Sequence, residues 1–218
     1  MAPKERKETL SSRIVADLRR SIVHGRLAPG EKINLDRLRA AQGVSISPLR
    51  EAMSRLVADG LVTFEDQRGY SVTTVSASDL AEITRLRVTL ESLALRGAIA
   101  TGDLEWESRV MGALYRLRTT PREPGETGRW ETAHTEFHLV LLRGAQMPLH
   151  LQFCGQLRVL QDRYRMLFLA DLPTGRDVQA EHDAIAAAAC ARNADLAVSR
   201  LVAHIEATGA LLRTRMPG

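Results

Sequence analysis

The chain is 218 residues long, 44% hydrophobic and 26% charged, with 15 glycines and 8 prolines. That composition belongs to one large globular domain or two modest ones, and it excludes collagenous, low-complexity and largely disordered chains. The formal net charge is +4, and of the 30 basic residues only Lys4, Lys7 and Lys32 are lysine. Arginine therefore carries the positive charge, and its planar guanidinium suits bidentate contacts to phosphate, carboxylate and base edges. The excess is local: residues 1–75 hold 13 Lys/Arg against 9 Asp/Glu, whereas residues 76–218 hold 17 of each. A basic first third beside a neutral remainder points to a polyanionic partner for the first part.

Cys154 and Cys190 cannot build a disulfide framework, and both lie in apolar stretches suited to small buried thiols. No run approaches 18 apolar residues, and the charged stretch from Met1 to Thr9 has no signal-peptide apolar segment behind it. The expectation is a cytoplasmic protein with no membrane association.

Residues 1–10 read as a disordered basic arm. From Ser11 the pattern is helical, with Leu10, Ile14, Leu18 and Ile22 recurring every four residues and Gly25 placed as a left-handed terminator. Asn34 is placed to cap a second, short helix carrying Leu35, Leu38 and Ala41 inward and stopping at Gly43. A third helix starts at Ser47-Pro48, with Leu49, Met53, Leu56 and Val57 inward and Gly60 at its end. Then the period changes: Leu61 to Phe64 and Tyr70 to Thr74 read as strands joined by a five-residue loop. Helix-turn-helix plus hairpin predicts a winged helix over residues 11–75.

Beyond Ser76 the pattern is helical to the C-terminus. Breaks at Gly102, Thr119 to Gly125, Met147-Pro148, Leu172-Pro173 and Asn193 define six helices, at about 78–101, 103–119, 127–145, 148–170, 174–191 and 194–215. The predicted fold class is mainly α: an N-terminal winged helix-turn-helix and a C-terminal all-α six-helix bundle over residues 76–218.

A helix-turn-helix presents the start of its second helix to the major groove, which singles out Ser45, Ile46, Ser47, Arg50 and Ser54. Arg50 leaves the core face near the helix start. Ser45 and Ser47 are placed to donate to phosphate oxygens, and Arg68-Gly69 at the hairpin tip suits a wing entering a minor groove. Each residue alone is equally an ordinary solvated side chain; their order on this scaffold is what indicates DNA binding.

Histidines mark the second part. His134 and His138 share the apolar face of one helix with Trp130, Phe137 and Leu141. His182 falls in the stripe Val178, Ile185, Ala189, and His204 in the stripe Leu201, Ile205, Thr208, so three helices turn four imidazoles inward. Such rings are either hydrogen-bonded core residues or ligands of a shared divalent metal ion such as Zn or Ni, and both readings stay open. His150 is a weaker candidate in a first helical turn, and His24 suits a helix C-terminus. Arg87 lies at the edge of an inward stripe and suits either a carboxylate ligand or an i, i+4 pair with Glu91. Arg163 and Arg165, flanking Tyr164, fit a pocket wall or a solvated face equally.

The stretch Pro29-Gly30-Glu31-Lys32, Leu35 to Leu38, Gly43-Val44-Ser45, Pro48 to Met53, Leu56 and Gly60-Leu61-Val62 resembles the winged helix of the GntR family of bacterial transcription regulators. The resemblance implies a homodimer on a short palindromic double-stranded DNA operator, with contacts at Ser45, Ser47, Arg50, Arg68 and Gly69. Two positions that the family often makes basic hold Ile46 and Asp36, which implies a different operator, since isoleucine meets a thymine methyl and cannot bridge guanine O6 and N7.

Arg87 to Glu91, Phe137-His138, Glu181 to Ile185 and the 22-residue step from His182 to His204 resemble the helical effector (FCD) domain of the FadR subfamily, in its short VanR-like variant. That resemblance implies a divalent metal on His138, His182 and His204, with a fourth ligand four residues before His138. The family position is usually aspartate and is His134 here. It also implies a small carboxylate effector bound near the metal. The sequence thus predicts no enzyme but a ligand-responsive transcriptional regulator, most simply a repressor. A regulator sensing metal alone and a metalloenzyme using the histidines are the alternatives.

Overall fold

The computed structural model describes residues 9–121, 127–169 and 175–216, which divide into two compact units, Met1–Val75 and Ser76–Gly218. The first is a winged helix-turn-helix. Thr9 caps α1 (Leu10–Val23), its Oγ1 accepting from the Ser12 amide at 3.2 Å. Leu10 is therefore helical and not part of a disordered arm; residues 1–8 lie outside those described. Ile14, Val15, Leu18 and Ile22 are buried along one stripe of α1. Asn34 caps α2 (Leu35–Gln42), accepting from the Arg37 amide at 2.9 Å, and Gly43 ends it at φ 62°, the left-handed region that glycine enters without steric cost. α2 buries no residue fully, and Ala41, expected inward, is exposed.

The next helix, α3 (Ile46–Ala58), begins before the expected Ser47-Pro48 signal, with Ser45 as its N-cap residue. Pro48 is tolerated in the first turn because the first four amides of a helix lack intrahelical acceptors. Leu49, Ala52, Met53 and Leu56 form its buried stripe, and Val57, expected inward, sits past the edge of that stripe at 37% exposure. Ser11 donates to Glu51 at 2.8 Å and fastens α1 to α3. β1 (Lys32–Ile33), β2 (Val62–Glu65) and β3 (Gly69–Val72) form an antiparallel sheet ordered β1-β3-β2, with Ile33 opposite Tyr70 and Phe64 opposite Tyr70 on the other side. Two residues are too short to show a period, so β1 left no sequence signal.

In the second unit the described residues form α4 (Ala77–Thr101), α5 (Leu104–Thr119), α6 (Thr127–Arg143), α7 (Pro148–Phe168), α8 (Val178–Cys190) and α9 (Ala194–Arg215). Ser76, Asp103, Asp177 and Asn193 each cap a helix by accepting from the amide three residues on, a bond worth about 1 kcal/mol. α4 packs against α6, α7 and α9, while α8 packs against α5 and α9. Gly209 permits close approach of α9 to α4, since a Cβ there would meet Thr84 Oγ1 at 2.7 Å. Leu95, Ala98, Val110, Phe137, Leu141, Ile185, Leu201 and Ile205 occupy the core. No helix among the described residues is long and apolar enough to cross a membrane.

Candidate functional site

Three helices of the second unit carry histidines in their buried stripes. On α6, Glu131, His134, Thr135 and His138 follow the i, i+3, i+4, i+7 spacing of one helical face. α8 adds His182 and α9 adds His204. The rings meet: His134, His138, His182 and His204 are 2%, 1%, 0% and 4% exposed, and one nitrogen from each lies within 4.8 Å of the others. Donors sharing one ion at about 2.0–2.1 Å stand roughly 3–4 Å apart. Ring centroids are 4.8 Å apart for His182 and His204 and 5.1 Å for His138 and His204, and the Nε2 atoms of His134 and His138 are 3.2 Å apart.

Hydrogen bonding within the protein accounts for only part of these rings. Nδ1 of His134, Nδ1 of His138 and both nitrogens of His182 are buried without a partner. Burial, reinforced by Arg165 and Arg158 and by the neighbouring imidazoles, holds His134 and His138 well below the ordinary histidine range. Burial and His204 take His182 down to about 2. Burial lowers His204 as well, against the opposing pull of Glu181. All four are therefore neutral at pH 7, the form in which imidazole binds metal. The donor set and the unpartnered nitrogens fit a divalent ion that accepts imidazole.

A second ring of groups supports the first. His204 Nδ1 donates to Glu181 Oε2 at 2.7 Å, and Arg176 Nε donates to Glu181 Oε1 at 2.9 Å. Trp130 stacks on His134 at 4.8 Å with 11° between the planes. Arg165 donates from Nε and Nη2 to Glu131 at 3.2 and 3.0 Å, and its guanidinium lies 5.6 Å from the Trp130 ring centroid. Glu131 Oε2 is 3.7 Å from His134 Nδ1, within ion-pair range but too far for a hydrogen bond. A groove of about 390 Å³ opens over Glu181 and His204, walled by Ala180, Ala184, Ala203 and Ala207.

Beside the histidines lies a polar layer that sequence reasoning largely missed. On α7, Arg158, Gln161, Asp162 and Arg165 share one face and are all buried. Arg87 Nε donates to Glu91 Oε1 at 2.6 Å and Arg158 Nη2 to Glu91 Oε2 at 3.0 Å, all three residues buried. Burial works against the Glu91 carboxylate, but Arg158 and Arg87 outweigh it and hold its pKa below the usual value. Arg158, brought down to about 10 by burial and by Arg87, stays protonated at neutral pH. Both readings of Arg87 meet here: the i, i+4 pair with Glu91 exists, and Nη2 remains buried and unpartnered. Arg163 and Arg165 are buried, so neither belongs to a solvated face. The signal was available at 158, 161, 162 and 165, where polar residues repeat at helical spacing, but such a stripe reads by default as a solvated face. His150 stands apart from the cluster and donates to the Leu90 carbonyl at 2.7 Å.

In the first unit, Ser45, Ser47 and Arg50 are exposed on the first turns of α3. Ser45 makes no side-chain cap bond, which leaves its hydroxyl available. Arg68 is exposed in the β2–β3 loop and pairs with Glu65 at 3.0 Å. Gly69 has φ 80° with no atom within 4 Å of where a Cβ would sit, an open glycine position at the wing. This is a helix-turn-helix with an exposed recognition helix and wing.

Residues 10–72 match the bacterial regulatory proteins, gntR family, and residues 82–207 match the FCD domain. The chain belongs to the GntR family. This GntR regulator is 36% identical over 201 residues to the uncharacterized HTH-type transcriptional regulator BphR of Paraburkholderia xenovorans (strain LB400), covering 90% of this chain and 82% of that one. It is 29% identical over 208 residues to the HTH-type transcriptional repressor GlaR of Escherichia coli (strain K12), covering 92% and 94%. Among solved structures, E. coli McbR/YncC superposes with a TM-score of 0.81 at 22% identity over 94% of this chain and 98% of that one. A putative GntR regulator from Rhodococcus sp. RHA1 gives 0.79 at 25% identity over 95% and 99%. The GntR chain is thus a transcriptional regulator with an N-terminal DNA-binding helix-turn-helix and a C-terminal FCD domain.

Proposed function

We propose that this regulator holds a divalent metal on His134, His138, His182 and His204, and that a small organic acid bound beside it changes the operator affinity of a homodimer. The observation that carries this reading is the convergence of four buried, neutral imidazoles, one nitrogen of each within 4.8 Å of the others, with both nitrogens of His182 lacking any partner. An unpartnered buried polar group costs about 1–3 kcal/mol, and one ion relieves several such costs together. Bound there, the metal supplies a Lewis-acidic point for a carboxylate oxygen. The chain's own groups do the rest: Glu181 fixes the tautomer of His204, Trp130 stacks on the His134 ring, and Arg87 Nη2 offers a charged donor to an acid.

Operator contacts fall to Ser45, Ser47 and Arg50 at the recognition helix and to Arg68 and Gly69 at the wing. The sign of regulation is repression, as the name of GlaR says of that relative. Coupling between effector and operator of the usual size, about 1–3 kcal/mol, changes operator affinity roughly 5- to 150-fold. Mobility-shift titration against the DNA upstream of the protein's own gene tests the reading, with and without chelator and with a panel of carboxylates. The expected result is sequence-specific binding altered by an acid only in the metal-loaded protein. Operator affinity that follows free metal and ignores every acid would establish metal sensing instead. Purification without a nickel column and without stoichiometric metal would end the metal assignment.

A further inference from the structure

The hairpin between β2 and β3 turns at Glu65-Asp66-Gln67-Arg68, the Arg68 amide donating to the Glu65 carbonyl at 3.1 Å. Gln67 holds the third place of this turn at φ 64°, in the left-handed region. Glycine or asparagine takes that place readily, whereas a longer side chain enters it at a cost in conformational free energy. The fold recovers nothing for that cost. Gln67 is exposed, and its amide has no hydrogen-bond partner among the described residues. A strained residue whose side chain serves nothing within the protein points to a use outside it.

Its neighbours narrow that use. Arg68 pairs with Glu65 at 3.0 Å, and Asp66 is exposed with no basic partner among the described residues, so two carboxylates stand against one guanidinium and the tip is negative. A negative tip is disfavoured in the narrow minor groove of A·T tracts, where the negative potential is deepest. The minor-groove edge of A·T offers only acceptors, whereas G·C adds a donor, the N2 amino group of guanine. The uncharged carbonyl oxygen of a glutamine accepts from that amino group, and neither aspartate nor arginine matches it without bringing a charge.

Resting on the operator reading above, we infer that Gln67 is the specificity-determining residue of the wing: its Oε1 accepts from guanine N2 in the minor groove, so the operator carries a G·C pair beneath the wing tip. Arg68 and Gly69 bring the wing to the sugar-phosphate backbone, and Gln67 reads the base.

Inosine substitution tests this. A duplex is enriched from a random-sequence library by the full-length protein, and each guanine in it is replaced in turn by inosine, which deletes the N2 amino group and leaves the major-groove edge unchanged. Replacement at one G·C pair is expected to weaken binding about three- to tenfold in a mobility shift, the loss of a single net hydrogen bond. In Gln67→Gly, which keeps the turn, guanine and inosine at that pair are expected to bind within about twofold of each other, while Arg68→Ala weakens both alike. A duplex in which no inosine weakens binding would overturn the inference and leave the operator reading standing. Discrimination that survives Gln67→Gly, or that is lost in Arg68→Ala alone, would overturn the assignment to Gln67. If the library yields no enriched sequence, the operator reading and the inference fail together.

Discussion

Glu181 accepts the Nδ1 proton of His204 at 2.7 Å, and this contact decides which nitrogen of His204 faces the other three histidines. Burial works upward on Glu181, but hydrogen bonds from His204 and Arg176 outweigh it and hold the carboxyl down to about 2. An ionised carboxylate only accepts, so Nδ1 is the protonated nitrogen and Nε2 keeps its lone pair. Removing such a partner typically lowers metal affinity 10- to 100-fold. Glu181→Ala is expected to do so in competition titrations with a chromophoric chelator, while His138→Ala abolishes stoichiometric binding. Unchanged affinity in Glu181→Ala would contradict the orienting role.

The resemblance to the FCD domain implies an aspartate ligand at the position that His134 holds. His134→Asp keeps a coordinating atom and adds a negative charge among neutral imidazoles. Elemental analysis of protein purified without a nickel column is expected to show metal retained in His134→Asp and lost in His182→Ala. Loss in both would mean that the seam behind position 134, built around Trp130 and Glu131, requires the imidazole ring itself.

Depressed histidine pKa values set an acid limit on the metal-free protein. A histidine that is neutral when folded and titrates at about 6.5 when unfolded takes up its proton first in the unfolded state, so stability is flat above that pH and falls below it. Each fully depressed histidine contributes a slope approaching about 1.4 kcal/mol per pH unit. The Glu181 carboxylate, with its pKa lowered, adds a further loss only below about pH 4.5. Urea midpoints of metal-free protein are expected to agree at pH 8 and 7.5 and to drop steeply between pH 6 and 5. Midpoints that stay level down to pH 5 would contradict the burial of neutral imidazoles.

Glu91 neutralises two buried arginines at once. Glu91→Ala leaves Arg87 and Arg158 facing each other in the interior, and breaking a buried pair this way costs about 3–5 kcal/mol. At roughly 2–4 °C per kcal/mol for a unit of this size, Tm is expected to fall by about 6–20 °C. A shift of only a degree or two would show that water reaches these groups.

Arg50 is exposed and lies on the face of α3 away from its buried stripe, so Arg50→Ala should leave the fold intact. Loss of a base-edge contact is worth about 1–3 kcal/mol, which reads as a tenfold or greater loss of operator affinity in a mobility shift. A weakening that is uniform across unrelated DNA sequences would assign Arg50 to phosphate instead.

Much of the architecture was legible one residue at a time. Apolar spacing, Asn34, Asn193, Gly43 and the Met147-Pro148 break mark local events, because a cap or a turn depends on its own few residues, while the Leu172-Pro173 break lies outside the described residues. The same holds for the four histidines: helical spacing alone places each on an apolar face. Leu10 and Val57 were less legible, since a residue at the edge of a stripe is buried or exposed according to the neighbouring element.

What the chain by itself determined, then, is which helices form and which of their residues face inward. Tertiary packing decided the rest. Only the meeting of α6, α8 and α9 brings four rings together, and only the packing of α7 against α4 and α6 turns Arg158, Gln161 and Arg165 from a solvated stripe into a buried polar layer. The physical reason is that burial of a charged or amide group is settled by partners far away in sequence, Glu91 for Arg158 and Glu131 for Arg165, which no local pattern specifies.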